Sequence, residues 1–267
     1  MAPRRFRLLW RWKSRYARGY RSSAINGGAG CIQELNVANP EFLDAWELGI
    51  KSEWMDRRLQ LNASTFHYNF KDQQLRDAAG TTSAWPGSNN PLATLLLNVA
   101  ASRIQGLELE VVALLPSDIA IRAGLGLLDS KYSKLSQTDS GGVVRDLAGN
   151  ELIEAPPYTA DLALDHSRVA GPGEIVLHAD ISWTGRRFFT PFNELPPNEI
   201  NVSEAQWELN ARIGYRSRNG RYDVGVWGKN LNNNDAVTWS VTPQVFGIRF
   251  ATIPYPRRYG VDFRWDL

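Results

Sequence analysis

Residues 257–267 read Arg-Arg-Tyr-Gly-Val-Asp-Phe-Arg-Trp-Asp-Leu, and their alternation decides the class of fold. Tyr259, Val261, Phe263, Trp265 and Leu267 share one parity, while Arg258, Gly260, Asp262, Arg264 and Asp266 share the other. Successive side chains of a strand point to opposite faces, so this stretch has one aromatic face and one charged face. In a soluble sandwich the apolar face would pack on a core. In a membrane barrel it would meet lipid, with the charged face turned to a wet lumen. The strand by itself fits both.

The same period recurs upstream. Trp46, Leu48, Ile50, Ser52 and Trp54 oppose Glu47, Gly49, Lys51 and Glu53, and after the turn at Met55-Asp56-Arg57 the pattern resumes with Leu59, Leu61 and Ala63. Phe66, Tyr68 and Phe70 fall on the other parity, a phase slip near Thr65 for which a β-bulge is one explanation. Leu107, Leu109, Val111 and Ala113 form a hairpin across Pro116-Ser117-Asp118 with Ile119, Ile121, Ala123, Leu125 and Leu127. Two further hairpins turn at Gly171-Pro172 and at Arg218-Asn219-Gly220. With a first strand near Lys13 to Arg21 and the last strand above, an all-β chain of about ten antiparallel strands is expected.

The connections separate the two readings. Turns within hairpins take a few residues, whereas Ser22–Asp44, Gln73–Ser102, Asp129–Pro157, Gly185–Ser203 and Leu231–Pro256 are long, and the two kinds alternate strictly. Outer-membrane barrels have short periplasmic turns and long extracellular loops. A sandwich keeps most of its loops short and has no reason to gather long ones at one end. The chain is therefore read as an up-and-down meander belonging to a transmembrane β-barrel.

Composition agrees. With 267 residues, 43% of them hydrophobic and 22% charged, the chain is neither disordered nor helical membrane protein. No run approaches the ~20 apolar residues of a spanning helix. Thirty basic and 28 acidic residues leave a formal charge of +2, which gives no footprint for nucleic acid. The lone Cys31 excludes an internal disulfide and any multi-cysteine metal site. Residues 1–12 are basic, and arginine interrupts Phe6, Leu8, Leu9 and Trp10, so no signal peptide is read there. This segment is left unassigned and the barrel portion is placed at 13–267.

Several stretches resemble TonB-dependent outer-membrane receptors. Asn39-Pro40-Glu41 followed by Trp46-Glu47-Leu48-Gly49-Ile50-Lys51 is similar to that family's PE…YELGxK signature. Asn98-Val99-Ala100 with Gly106-Leu107-Glu108 resembles its N…A…GxExE strand, Lys229-Asn230-Leu231 its penultimate strand, and Pro256 to Gly260 the start of its final strand. Pro40, Glu41, Glu47, Gly49, Lys51, Gly106, Glu108, Asn230, Leu231 and Gly260 are thus family-motif positions. Gly49, Gly106 and Gly260 are expected to leave room on a crowded face. The resemblance implies a plugged barrel of 22 strands. About ten of these fall in this chain and the plug is absent, so the chain reads as a fragment. It further implies residence in the outer membrane of a Gram-negative bacterium, with lipid, TonB and the barrel-assembly machinery as partners and a ferric siderophore or similar scarce ligand as cargo. Tyr259, Val261, Phe263, Trp265 and Leu267 match the family's C-terminal assembly signal, although most members end on an aromatic residue.

Trp85, Phe188, Phe189, Phe192 and Trp239 lie in the long loops and are candidate ligand contacts; aromatics there serve equally as an interfacial girdle or as loop packing. His178, Asp180, Asp161 and Asp165 share the polar parity, as a metal or proton site would, yet a wet polar face yields such clusters without purpose. No metal, cofactor or catalytic residue is expected. Asp165-His166-Ser167 is no hydrolase triad, because consecutive strand residues face opposite ways. An energy-coupled receptor portion, not competent for transport alone, is therefore expected. The competing class is a complete small barrel acting as a protease-like enzyme or passive pore, for which only His67 is placed near the outer mouth.

Overall fold

The computed structural model describes residues 9–26, 37–78, 94–139, 143–194, 201–241 and 248–266. Ten long strands make one antiparallel sheet in which each pairs with its successor: β1 (Leu9–Arg21), β2 (Glu41–Trp54), β3 (Leu59–Ala78), β4 (Thr94–Leu115), β5 (Ile119–Thr138), β6 (Tyr158–Ala170), β7 (Gly173–Thr184), β8 (Gln206–Ser217), β9 (Tyr222–Lys229) and β10 (Arg258–Trp265). Such a meander sends successive connections to opposite ends. The turns at Asp56, Ser117, Pro172 and Asn219 lie at one end and the long loops at the other, as the loop lengths predict.

Register carries the two faces across the whole sheet. One row of cross-strand partners runs Trp12, Ile50, Ala63, Leu109, Leu125, Ala160, Trp183 and Trp207 through β1 to β8. Farther along, Ile213, Val226 and Val261 continue the same face to β10. Glu108 and Leu109 face opposite ways, as do Asp262 and Phe263. Nothing in the described structure covers the apolar face: Trp12 is 63% exposed, Val226 53% and Val261 71%. A contiguous apolar surface of this size is untenable in water and needs lipid against it.

The turns close tightly. Ser117 and Asp118 adopt φ of 65° and 54°, the paired left-handed conformation of a type I′ turn, whose twist matches that of the flanking strands. Met55, Asp56 and Arg57 are also left-handed.

Three expectations are corrected. No bulge occurs at Thr65: β3 keeps continuous register with β4 from Leu59 to Phe70, and its irregularities lie between Phe70 and Gln74. Phe66 and Tyr68 instead sit on the polar face with their rings 5.0 Å apart. The Tyr68 hydroxyl donates to Glu47 at 2.8 Å, so an aromatic ring with a polar tip is satisfied there. The strands also overrun the expected loops. β3, β4 and β5 have 20, 22 and 20 residues, and their loop-end extensions lose the dyad pattern because neither face there meets hydrocarbon. Lastly, β1 begins at Leu9 and not near Lys13, with Leu9 to Trp12 paired to Glu53 through Ile50.

The one buried apolar cluster among the described residues belongs to these extensions. Ala100, Tyr132, Leu135 and Leu147 form it, with Leu75, Leu152 and Phe192 packed against them. Asparagine side chains tie the loops to the sheet. Asn98 donates to the Asn39 and Asp72 carbonyls at 2.8 and 2.6 Å. Asn230, 3% exposed, donates to the carbonyls of Asn234 and Tyr255 and accepts from the Asn234 amide at 2.6 Å.

Two outcomes follow from this architecture. Leu109→Arg puts a charge on the apolar face and is expected to cost ~2–4 kcal/mol. Glu108→Gln, one residue away on the wet face, is expected to stay within ~0.5 kcal/mol, and urea titration of the barrel in lipid vesicles compares the two. Asn230→Ala strands buried carbonyls at ~1–3 kcal/mol. Limited trypsin digestion is expected to show faster cleavage in 230–257 with the strands intact; unchanged cleavage would count against the knot.

Candidate functional site

The polar face is the surface that β-sheet periodicity assembles from every second residue, and its charges are largely paired. Arg212 on β8 donates to both oxygens of Asp262 on β10, at 3.0 and 2.5 Å, and to Asp223 on β9 at 2.5 Å. Arg216 adds Asp223 at 3.1 Å and Glu174 on β7 at 3.3 Å. Four strands are thus cross-linked by two guanidiniums. The fit needs missing side chains: a Cβ at Gly225 would lie 2.6 Å from the Arg212 guanidinium carbon, and one at Gly214 would lie 2.6 Å from its Nη1. Sequence reasoning missed this cluster. Its signal was there, since Arg212, Gly214, Asp223, Gly225 and Asp262 share the polar parity of adjacent strands.

A second chain of contacts runs beside it. Arg122 donates to Asp165, whose other oxygen meets His178 Nδ1 at 2.8 Å; His178 Nε2 meets Asp180 at 3.2 Å, and Asn210 donates to Asp180 at 2.9 Å. The carboxylates next to His178 are occupied by cationic or amide donors. Among the described residues no group of three or more His, Cys, Asp and Glu is placed to hold a metal.

Toward β1 the polar face opens into a cavity of about 590 Å³ lined by Arg11, Lys13, Arg15, Glu47, Phe66 and Glu108, among others. Here cations and carboxylates face one space without pairing. Glu47 takes the Tyr68 hydroxyl and Glu108 the Ser64 hydroxyl, while Arg11, Lys13, Arg15 and Lys51 make no salt bridge among the described residues.

The motif positions divide by role. Glu41 accepts the Gln74 amide at 2.7 Å and lies 3.8 Å from Arg21, so it fastens β2 to β3 and β1 at the loop end, and Pro40 precedes it. Gly106 and Gly260 do make room: a Cβ at Gly106 would meet the Phe66 ring at 2.6 Å and one at Gly260 the Trp227 ring at 2.3 Å. Gly49 does not, since its nearest atom would be 3.6 Å away. Leu231 donates its amide to the Leu209 carbonyl at 2.8 Å beside the Asn230 knot. Tyr259, Val261, Phe263 and Trp265 line the outward face of β10, and Leu267 lies outside the described residues.

The loop aromatics are not equivalent. Phe188 is 3% exposed, under Arg186 at 5.2 Å, and its carbonyl accepts the Glu154 amide, so it packs between loops. Phe192 lies on the loop-end cluster. Phe189 is half-buried below Arg187, and Trp239 is 44% exposed on a short ladder with Phe250–Thr252. Trp85 is outside the described residues. Arg187 reaches the Thr238 carbonyl at 2.9 Å, which joins two of the loops bearing these rings. His67 pairs with Trp46 on the outward face, so it does not face the lumen mouth.

Residues 9–231 match the family model described as TonB dependent receptor-like, beta-barrel. Among solved structures the chain is similar to the ferric yersiniabactin uptake receptor of Yersinia pestis, at 20% identity and a TM-score of 0.71 over 97% of this chain and 35% of that one. It is also similar to the siderophore receptor PiuA of Acinetobacter baumannii, at 18% and 0.69 over 95% and 33%. The pyoverdine outer membrane receptor FpvA of Pseudomonas aeruginosa aligns at 16% and 0.65 over 97% and 34%. The chain thus spans about a third of the length of these receptors. A ten-strand meander with one lipid-type face and one ion-paired face, matched over most of its length by that family model, belongs to the TonB-dependent receptor β-barrel family.

Proposed function

We propose that this chain forms part of the barrel wall of an outer-membrane receptor that takes up a scarce ligand of the ferric siderophore class. The observation that supports this reading most is the likeness of fold to three receptors, one for ferric yersiniabactin, one for a siderophore and one for pyoverdine, over 95–97% of the chain. The outer-membrane lipid is the partner of the apolar face. TonB and the barrel-assembly machinery are partners of the whole receptor, and Tyr259, Val261, Phe263 and Trp265 present the surface such machinery would read. The family and the receptors it resembles support a non-enzymatic reading.

Residues 1–267 are not expected to transport by themselves. β1 and β10 each have one edge without a partner among the described residues, and an unpaired backbone group in hydrocarbon costs several kcal/mol. Further strands must therefore close the wall. In a receptor-deficient strain, residues 1–267 behind an export signal are expected to give no siderophore uptake and no heat-modifiable band on gels. A folded, inserted monomer that restores uptake would overturn the reading.

At the rim, Trp239 and Phe189 are the described aromatics with surface to offer a ligand, while Phe188 and Phe192 hold the loops that carry them. In the assembled receptor Trp239→Ala is expected to weaken ligand binding by about tenfold, the scale of ~1–2 kcal/mol for a lost aromatic contact. Fluorescence quenching measures it, and an unchanged affinity would remove Trp239 from the site.

A further inference from the structure

A tight turn at residues 217–220 fixes the register of β8 with β9. β9 and β10 are joined instead by the long connection 230–257, so no turn dictates how they pair. A slip of one residue would carry Tyr259, Val261, Phe263 and Trp265 to the wet face, which lipid forbids. A slip of two is different, because it preserves both the faces and the alternation of the hydrogen-bond ladder. The native outward pairs include Val224 with Phe263 and Val226 with Val261. Moved by two residues, Val224 and Val226 meet Val261 and Tyr259 in one direction, or Trp265 and Phe263 in the other. Every such pair is apolar, and lipid does not distinguish them. What selects the native register therefore lies on the opposite face.

On that face the native partners are Asp223 with Arg264, Gly225 with Asp262 and Trp227 with Gly260. Two fits meet there. The Arg212 guanidinium lies over Gly225 and donates to both oxygens of Asp262, at 3.0 and 2.5 Å. One row away the Trp227 ring lies against Gly260, where any Cβ would run into it. A slip that brings Arg264 opposite Gly225 sets a second guanidinium beside Arg212 and pushes Asp262 under the Trp227 ring. The reverse slip faces Asp262 with Asp223, leaves Gly260 where Arg212 needs a carboxylate, and puts Arg258 under the ring. Like charges directly opposite each other destabilise a strand pair, and Arg212 loses its bidentate, charge-assisted contact either way. Both wrong registers are thus penalised twice, by charge and by shape. At the loop end Asn230 donates to the Tyr255 carbonyl at 3.0 Å and the Arg257 amide to Asn233 at 3.2 Å. These bonds tie the entry to β10, and the strand itself is left to the two fits.

We infer that Arg212 and Trp227 are the register lock of β10, positioning residues that set the height at which this strand offers its free edge to the next strand of the wall. That edge has no partner among the described residues, and a two-residue slip would displace it by roughly 7 Å. The inference rests on the membrane reading given above, which makes the outward face indifferent to such a slip. The assembled barrel carrying this chain is purified from outer membranes in a Cys31→Ser background, its folding read from heat-modifiable mobility. Val226→Cys/Val261→Cys reports the native register and Val226→Cys/Phe263→Cys a slip of two, once diamide has oxidised the paired thiols to a disulfide. Directly opposite Cα atoms are within disulfide reach, whereas the diagonal pair, ~7–8 Å apart, is not. With the lock intact only the native pair is expected to close. Asp262→Gly/Arg264→Asp moves the glycine and the carboxylate two positions along the strand, and is expected to shift the disulfide from residue 261 to residue 263. Arg212→Gln/Trp227→Leu removes both fits and is expected to give both disulfides, while Asn230→Ala keeps the native one alone. Closure of the diagonal pair with the lock intact, which needs no lock variant to observe, overturns the inference. So does a folded Asp262→Gly/Arg264→Asp barrel that closes only at residue 261, or diagonal closure in Asn230→Ala, which would assign the register to the loop. Should the relocated lock lower the folded yield, it is compared with Asp262→Gly alone: recovery of yield by the added Arg264→Asp supports the lock, and an equal loss overturns it. Absence of a folded barrel from the unsubstituted protein would overturn the membrane reading itself, an outcome distinct from a folded barrel whose register ignores Arg212 and Trp227.

Discussion

A sheet one layer thick has no protein on its apolar side, and the rest of this structure depends on that constraint. The row from Trp12 to Trp207 buries nothing against the described residues, so its burial must come from lipid. Lipid offers no hydrogen bonds, so every backbone group in the spanning region must find its partner in a neighbouring strand. Uninterrupted register through the spanning parts of the strands, turns of a few residues and the absence of loops at mid-height all follow. The few irregularities, at Phe70 to Gln74 and at Ala101 to Ser102, lie in the loop-end halves where water can satisfy what the ladder leaves open.

On the opposite face the problem is reversed. Water and other protein are available there, and charges can be kept if they are paired. Arg212 and Arg216 with three carboxylates bind β7 to β10 together through side chains, in a space opened by Gly214 and Gly225. Near β1 the same face carries cations and carboxylates that share a cavity without meeting. The difference fits the position of β1 at an edge of the described sheet, where further protein of a complete barrel would adjoin it.

Height along the strands sorts the remaining functions. Around mid-height the outward face is aliphatic, then come rings such as Tyr16 and Trp46, then a charged row from Arg18 to Lys131, and finally loops held by asparagine knots and a small apolar cluster. Each level uses the side chains that its surroundings permit, from hydrocarbon through the interface to water. Phe188 and Phe192 illustrate the last level. As loop aromatics they could have faced a ligand, yet the loops need a core of their own to hold any shape, and these two rings supply part of it.

Most of the fold was legible in the sequence because a barrel strand must alternate to face two solvents, and because short turns and long loops must fall at opposite ends of a meander. The parity of Tyr259 to Trp265, the hairpin turns and the family-motif positions required no coordinates. What alternation could not settle lay where its cause is missing. Phe66 and Tyr68 read as a phase slip because an aromatic usually marks the apolar side, whereas here Glu47 and the gap at Gly106 accommodate them on the polar one. The extensions of β3 to β5 read as loop because both of their faces are wet. The Arg212 cluster and the asparagine knots join residues as many as 59 positions apart. Only strand register brings such residues to hydrogen-bonding distance, and register belongs to the tertiary structure.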